Sequence, residues 1–297
     1  MPSQLTTERT DGHRAGRLAG IFIYPVKGCR ALALTSSSVD ALGLDGDRRF
    51  LIVDPAGRFI TQRSHPQLAC IETALSSSHL TLTHPGRPPL NVPRASDPTA
   101  RLLGVEVWKS QNLQAEDCGE PAAAWISAVL GGPARLVRIG EKFFRPIPAH
   151  KLPAPDQSAT PSAPHIVSFA DAYPFLLIGE ASLANLNDRL LGRSEEAVPM
   201  NRFRPNLVIA GGAPFAEDTW TRLQIGGVMF RTAGPCARCI VTTTDQETGR
   251  RLGPEPLRTL AGYRRDPREP GDVIFGQNLL HETKSGRLSV GDAVTVL

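Results

Sequence analysis

Two cysteines, Cys236 and Cys239, stand three apart in the stretch G-P-C-A-R-C-I-V-T-T-T-D from Gly234 to Asp245, with Arg238 between them. Thiols at this spacing serve as half of a zinc site, as a dithiol redox couple, or as one thiolate ligand beside a passive neighbour. A structural zinc site needs four ligands, and the remaining cysteines, Cys29, Cys70 and Cys118, stand apart from one another. A thioredoxin-like couple opens a helix, whereas Ile240 to Thr244 is β-branched throughout and reads as extended. The residues favour one soft thiolate, helped by Arg238 to stay an anion, placed to bind a soft metal centre.

Three further groups fall at expected strand ends. Lys27 closes the apolar strand Ile21 to Val26, Arg48 and Arg49 sit at the entry to a strand in D-G-D-R-R, and Arg204 with Asn206 opens R-P-N-L-V-I-A-G. Scattered arginines ordinarily serve solvation and surface ion pairs. Gathered together by a β architecture, these would instead form a cationic site with an amide beside it, suited to a phosphate on a heterocycle.

The elements that must position them are mainly strands. Short strand-like segments recur at Ser36 to Leu42, Arg49 to Asp54, Cys70 to Leu75, His79 to His84 and Val105 to Ser110, punctuated by turns such as D-P-A-G and H-P-G. This pattern predicts an antiparallel barrel or sandwich in the first half. A helix is expected over Glu120 to Leu130, with Pro121 in its first turn and Gly131-Gly132 as its stop. The second half reads as strands at Ile166 to Ala170, Phe175 to Ile178, Arg204 to Gly211, Leu223 to Arg231, Val273 to Leu280 and Leu288 to Leu297. Helices are expected over Ser182 to Leu191, capped by Ser182, and over Glu255 to Tyr263. The fold class is thus mainly β with a few helices (α+β), and no Gly-x-Gly-x-x-Gly opens a dinucleotide fold. The expected organisation is a disordered tail over 1–16, a first domain over 17–144, a Pro-rich linker over 145–165 and a second domain over 166–297.

The chain has 297 residues, 41% of them hydrophobic, and a net charge of +4. That charge forms no dense basic block, so nucleic-acid binding is not expected. The polar start has no apolar core of signal-peptide length and no window approaches a membrane span, which makes a cytoplasmic protein without a membrane partner the expectation. Five cysteines without a framework spacing fit a reducing compartment.

The segments Y-P-V-K-G-C (Tyr24 to Cys29), D-R-R-F (Asp47 to Phe50), D-C-G-E (Asp117 to Glu120), A-S-L-A-N-L-N (Ala181 to Asn187), F-R-P-N (Phe203 to Asn206), C-A-R-C-I-V-T-T-T-D and V-G-D-A-V (Val290 to Val294) occur in the order found in the MOSC family. The chain resembles that family from about Leu18 to its carboxyl end, most nearly its amidoxime-reducing members and their bacterial relatives. The resemblance implies a MOSC N-terminal β-barrel region followed by a MOSC barrel, and a molybdenum cofactor of the molybdopterin type. It places the metal-ligating thiolate at Cys239, leaving Cys236 a neighbour. It places phosphate contacts at Lys27, Arg48 and the Gly28 backbone N–H, pterin contacts at Arg204 and Asn206, and an aspartate near the metal at Asp171. The chain departs from the pattern at Gly28, where some relatives carry a serine hydroxyl, and in a lengthened loop from Gly192 to Pro199.

The implied reaction is two-electron reduction of N-hydroxylated small molecules such as amidoximes, hydroxylamines and N-hydroxylated bases. Asp171 is the implied proton handler. No plant-type cluster of four cysteines follows the MOSC region, so electrons are expected from a separate protein: a ferredoxin, a flavoprotein reductase or a cytochrome b5-like donor. Competing readings are a cofactor carrier or sulfur-relay protein without reductase turnover, and a cofactor-free binding module.

Overall fold

The computed structural model describes residues 12–153 and 164–297. The first half runs β1 (His13–Ile23), β2 (Leu32–Leu34), β3 (Ser36–Asp40), β4 (Gly43–Leu44), β5 (Phe50–Val53), β6 (Glu72–Leu75), β7 (His79–His84), β8 (Arg87–Pro93), β9 (Leu102–Val107), β10 (Ser110–Asp117), α1 (Glu120–Leu130) and β11 (Arg135–Arg138). The second half runs β12 (Phe175–Gly179), α2 (Glu180–Leu191), β13 (Leu207–Ala210), β14 (Arg222–Ile225), β15 (Val228–Arg238), α3 (Leu257–Ala261), β16 (Val273–His281), β17 (Gly286–Ser289) and β18 (Ala293–Val296).

Strands β13, β12, β16, β15, β14, β18 and β1 pair in that order, and β1 pairs back onto β13, which closes a barrel. Only β12 and β13 run parallel, joined by α2 as the crossover that a parallel pair requires. Leu18, Ile21, Phe175, Leu207, Ile225 and Phe230 fill the core of this barrel. β1 belongs to the first half of the sequence, so the spatial unit crosses the boundary expected from the Pro-rich stretch. Residues His13 to Gly16, read as the end of a disordered tail, are the start of β1 and pair with β18; the rest of that tail lies outside the described residues. Gly16 lies where β1 changes register, and a Cβ there would stand 2.2 Å from the Ala210 carbonyl oxygen.

In the first half, β5, β11, β10 and β9 form a four-stranded sheet. The segment from Gly57 to Ile60 bridges its two edges, through Ile60 N to Ile52 O and Phe59 N to Glu106 O, and so closes a smaller ring. β6, β7 and β8 make a meander packed with α1 around Leu68, Leu80, Leu82 and Ile126. α1 ends on Gly131 in the left-handed conformation, as its sequence predicts.

Several expectations are corrected. Leu223 to Arg231 is two strands folded at Gly226-Gly227, and Leu288 to Leu297 is likewise divided between β17 and β18. Ile166 to Ala170 is no strand: Ile166 makes one isolated bridge to Pro146, and the following carbonyls are taken by an arginine side chain. Ile240 to Thr243, read as extended, is a single turn of 3-10 helix. Ser182 lies inside α2, where its hydroxyl donates to Glu217 instead of capping the helix. The described part of the Pro-rich linker is not a free loop, because Arg145 and Ile147 are buried; residues 154–163 lie outside the described residues.

Candidate functional site

Just after β1, the backbone from Tyr24 to Cys29 is clamped against the turn that precedes β5. Arg48 N donates to Tyr24 O at 2.9 Å, Phe50 N to Pro25 O at 3.0 Å and Lys27 N to Phe50 O at 3.0 Å. The segment before β12 joins through Phe169 N to Arg48 O, and the start of β13 through Phe22 N to Asn206 O and Asn206 N to Leu176 O. Hydrogen bonds of the main chain therefore bring Lys27, Arg48, Asp171, Arg204 and Asn206 together from four separate stretches of sequence.

The side chains interlock around Tyr24, which is buried with its hydroxyl donating to Pro205 O at 3.0 Å. Both the Arg48 and Arg204 guanidiniums lie over its ring, at 4.4 and 4.2 Å from the centroid. Burial pushes the Tyr24 phenol up to about 12, against the pull of both arginines, so it stays neutral. Arg48 pairs with buried Asp47 at 2.5 Å and reaches Asn206 Oδ1 at 3.3 Å. Asn206 holds its amide by donating to Phe22 O and accepting from Leu176 N. Arg204 donates to Gln246 Oε1 at 3.1 Å, and burial holds its guanidinium below the ordinary arginine range. Arg48 and Arg204 both adopt left-handed backbone, at φ 50° and 55°. Residues held so are over-determined by their surroundings, and such strain concentrates at functional sites.

Lys27 is 6% exposed and pairs with Asp171 Oδ1. Burial pushes its ammonium down to about 8, only partly offset by that carboxylate. The Asp171 side chain is 70% exposed. Withdrawal from bulk water raises its carboxyl, yet the Lys27 charge and hydrogen bond, with the Trp108 N–H, outweigh this and hold it well below the usual carboxylate range. Arg145 fixes the loop that carries Asp171 by donating to the carbonyls of Ser168, Ala170 and Asp171, and burial pushes it down to about 10.

The thiol stretch joins from the end of β15. Arg238 donates to Cys236 Sγ at 2.9 Å and to Phe203 O at 2.6 Å, one residue before Arg204. Arg238 therefore engages the first thiol of the pair, a distinction that spacing alone left open. Burial pushes the Cys236 thiol up in spite of Arg238, and the Asp171 carboxylate adds to the rise. Cys239 is half-buried and precedes the 3-10 turn, its carbonyl accepting from Thr242 N and Oγ1, both at 3.0 Å. Gly28 has φ +90°, and a Cβ there would sit 3.0 Å from Leu68 Cδ1. The departure at Gly28 thus has a backbone reason.

Five cations, Lys27, Arg48, Arg145, Arg204 and Arg238, face two carboxylates, Asp47 and Asp171. Among the described residues, no carboxylate pairs with Arg145, Arg204 or Arg238, and Arg238 Nε and Asn201 Oδ1 are buried without a hydrogen-bond partner. Asn201 lines a cavity of about 210 Å³ together with Tyr24, Arg204 and Gln246. One unsatisfied buried donor, one unsatisfied acceptor and excess positive charge suit an anionic ligand that also carries hydrogen-bond donors.

Arg49, grouped with Arg48 in sequence, points away and pairs with Asp40. Sequence reasoning passed over Asp47, Trp108, Arg145 and Gln246 as site residues. Asp47 adjoins Arg48 and could have been weighed, while Arg145 sat in a Pro-rich run with no local signal.

The closed barrel and its site define a mainly β protein in which more positive than negative charge gathers beside two cysteines. The chain belongs to the MOSC family: it matches the MOSC N-terminal beta barrel domain over residues 15–133 and the MOSC domain over residues 164–295. It is 36% identical over 294 residues to mitochondrial amidoxime-reducing component 1 of Mus musculus, covering 96% of this chain and 83% of that protein. It is 35% identical to the Homo sapiens counterpart over 303 residues, covering 96% and 84%. Molybdenum cofactor sulfurase of Danio rerio is 33% identical over 316 residues, covering 98% of this chain and 36% of that protein.

Proposed function

We propose that the chain is a molybdenum-cofactor-dependent reductase of N-hydroxylated compounds. The observation that carries this reading is the gathering of Lys27, Arg48, Arg204 and Asn206 beside the Cys236–Cys239 stretch, with more positive charge than the local carboxylates balance. The names of the amidoxime-reducing relatives support it. Lys27, Arg48 and the Gly28 N–H hold the cofactor phosphate, Arg204 and Asn206 the pterin, and the Cys239 thiolate the metal, as its softness suits. When bound, the cofactor supplies two-electron chemistry with an acceptor for the substrate oxygen. The protein binds and orients. Asp171 stays ionised and accepts hydrogen bonds, and in the cofactor-free protein burial brings the Lys27 ammonium beside it down to about 8.

A separate protein, a ferredoxin, flavoprotein reductase or cytochrome b5-like donor, delivers electrons to the site. The five cysteines are unpaired, which fits a reducing compartment such as the cytoplasm; the amidoxime-reducing relatives are named as mitochondrial. No helix among the described residues is long and apolar enough to cross a membrane. Similarity to molybdenum cofactor sulfurase favours a second reading, a sulfur relay without reductase turnover.

Metal analysis and benzamidoxime reduction with a reduced viologen separate these readings. Wild-type protein and Cys236→Ser are expected to carry molybdenum and reduce benzamidoxime, and Cys239→Ser to lose both. Wild-type turnover by Cys239→Ser removes the ligand assignment. A persulfide without reduction favours the relay, and absence of molybdenum from protein made in cofactor-competent cells sinks both cofactor readings.

A further inference from the structure

Trp108 occupies the turn between β9 and β10 with a backbone φ of 57°, and it remains 42% exposed. A bulky residue in the left-handed region is strained and persists only where its surroundings impose it. Three groups impose it here. Phe59 meets the indole edge-to-face with centroids 4.9 Å apart, the Arg63 guanidinium lies 4.2 Å from the ring centre, and Nε1–H donates to Asp171 Oδ1 at 3.0 Å. The first half of the chain thus extends an aromatic surface to the carboxylate of the second. Asp171 Oδ1 receives both Lys27 and Trp108, while among the described residues no donor reaches Oδ2.

We propose that Trp108 and Asp171 Oδ2 form the substrate-recognition surface of this site, selecting planar amidine-type compounds conjugated to an aromatic ring; this rests on the reductase reading above. Such molecules present a flat delocalised face to the indole and an N–H edge to the carboxylate oxygen. Arg63, itself planar, cationic and delocalised, already makes the first of these contacts with the ring. An aliphatic amidoxime offers the N–H edge but no ring to stack, so it gains nothing from the indole face.

The test compares wild-type holoprotein with Trp108→Leu and Trp108→Phe on benzamidoxime and acetamidoxime, alongside calorimetric titration of each protein with benzamidine. Trp108→Leu is expected to raise KM for benzamidoxime about tenfold more than KM for acetamidoxime, with kcat falling far less, and to weaken benzamidine binding about tenfold, the order of one good ring contact. Trp108→Phe, which keeps a ring against Phe59, is expected to retain most of the aromatic preference and shows that the effect is not a loss of fold. Equal changes for the two substrates, or benzamidine binding as tight in Trp108→Leu as in wild type, overturn the proposal. Wild-type protein that binds benzamidine in a Trp108-dependent way but reduces no amidoxime removes the reductase reading and leaves the recognition surface standing.

Discussion

Replacing Lys27 by methionine should stabilise the cofactor-free protein at neutral pH. Lys27 is 6% exposed, and burial, partly offset by Asp171, lowers its ammonium from 10.5 to about 8. At about 1.4 kcal/mol for each tenfold change, that fall amounts to about 3 kcal/mol against the charged form. Below pH 8 the side chain is protonated in folded and unfolded chains alike, and the penalty is present in full. Between pH 8 and 10.5 the folded chain binds fewer protons than the unfolded one, so stability rises with pH and the penalty disappears. Methionine has similar length and no charge to desolvate. Asp171, left without its partner, is 70% exposed and keeps water and the Trp108 N–H, so losing the pair subtracts little. Lys284, also pushed down to about 8 by burial, is present in both proteins and cancels from the difference. Urea unfolding of the two proteins from pH 7 to pH 10 provides the assay. The expected result is a variant more stable by up to about 3 kcal/mol at pH 7, with the margin closing above pH 8. A variant less stable at pH 7, or a margin that does not shrink over this range, refutes the account. On the proposed phosphate contact of Lys27, the same variant should also retain less molybdenum.

Two further outcomes follow from the backbone of the site. Gly28→Ser should cost about 1–2 kcal/mol and lower the thermal midpoint by a few degrees, because φ +90° strains any residue with a Cβ; an unchanged midpoint argues against that backbone. Arg145→Met strands the carbonyls of Ser168, Ala170 and Asp171, and should cost about 2 kcal/mol or more while speeding amide exchange through the loop that carries Asp171. Exchange there at the wild-type rate would mean that Arg145 does not hold the loop.

Sequence and fold contribute at different ranges. α1 was legible to the residue, Glu120 to Leu130, and β7 likewise, His79 to His84, because a first-turn proline, a stop glycine and a period-two run act within a few residues. Motifs in order were enough to name the family, and with it the residues of interest, without any knowledge of where they sit. Local pattern failed where one residue's orientation decides the outcome. Arg48 and Arg49 are adjacent, yet one lies over Tyr24 and the other pairs with Asp40.

By itself, the sequence determined a mainly β chain with few helices and placed basic residues near strand ends; it put the thiol pair after a strand ending at Arg231, whereas β15 runs on to Arg238 and contains Cys236. Only the tertiary structure decided that β1 closes the barrel of the second half and that Arg238 engages Cys236. It also decided that Lys27 meets Asp171 144 residues away, and that Trp108 reaches the same carboxylate. Composition and periodicity report which face of an element is apolar. Which distant backbone groups satisfy one another, and which buried charges remain unbalanced, depends on packing between segments that the local pattern does not encode.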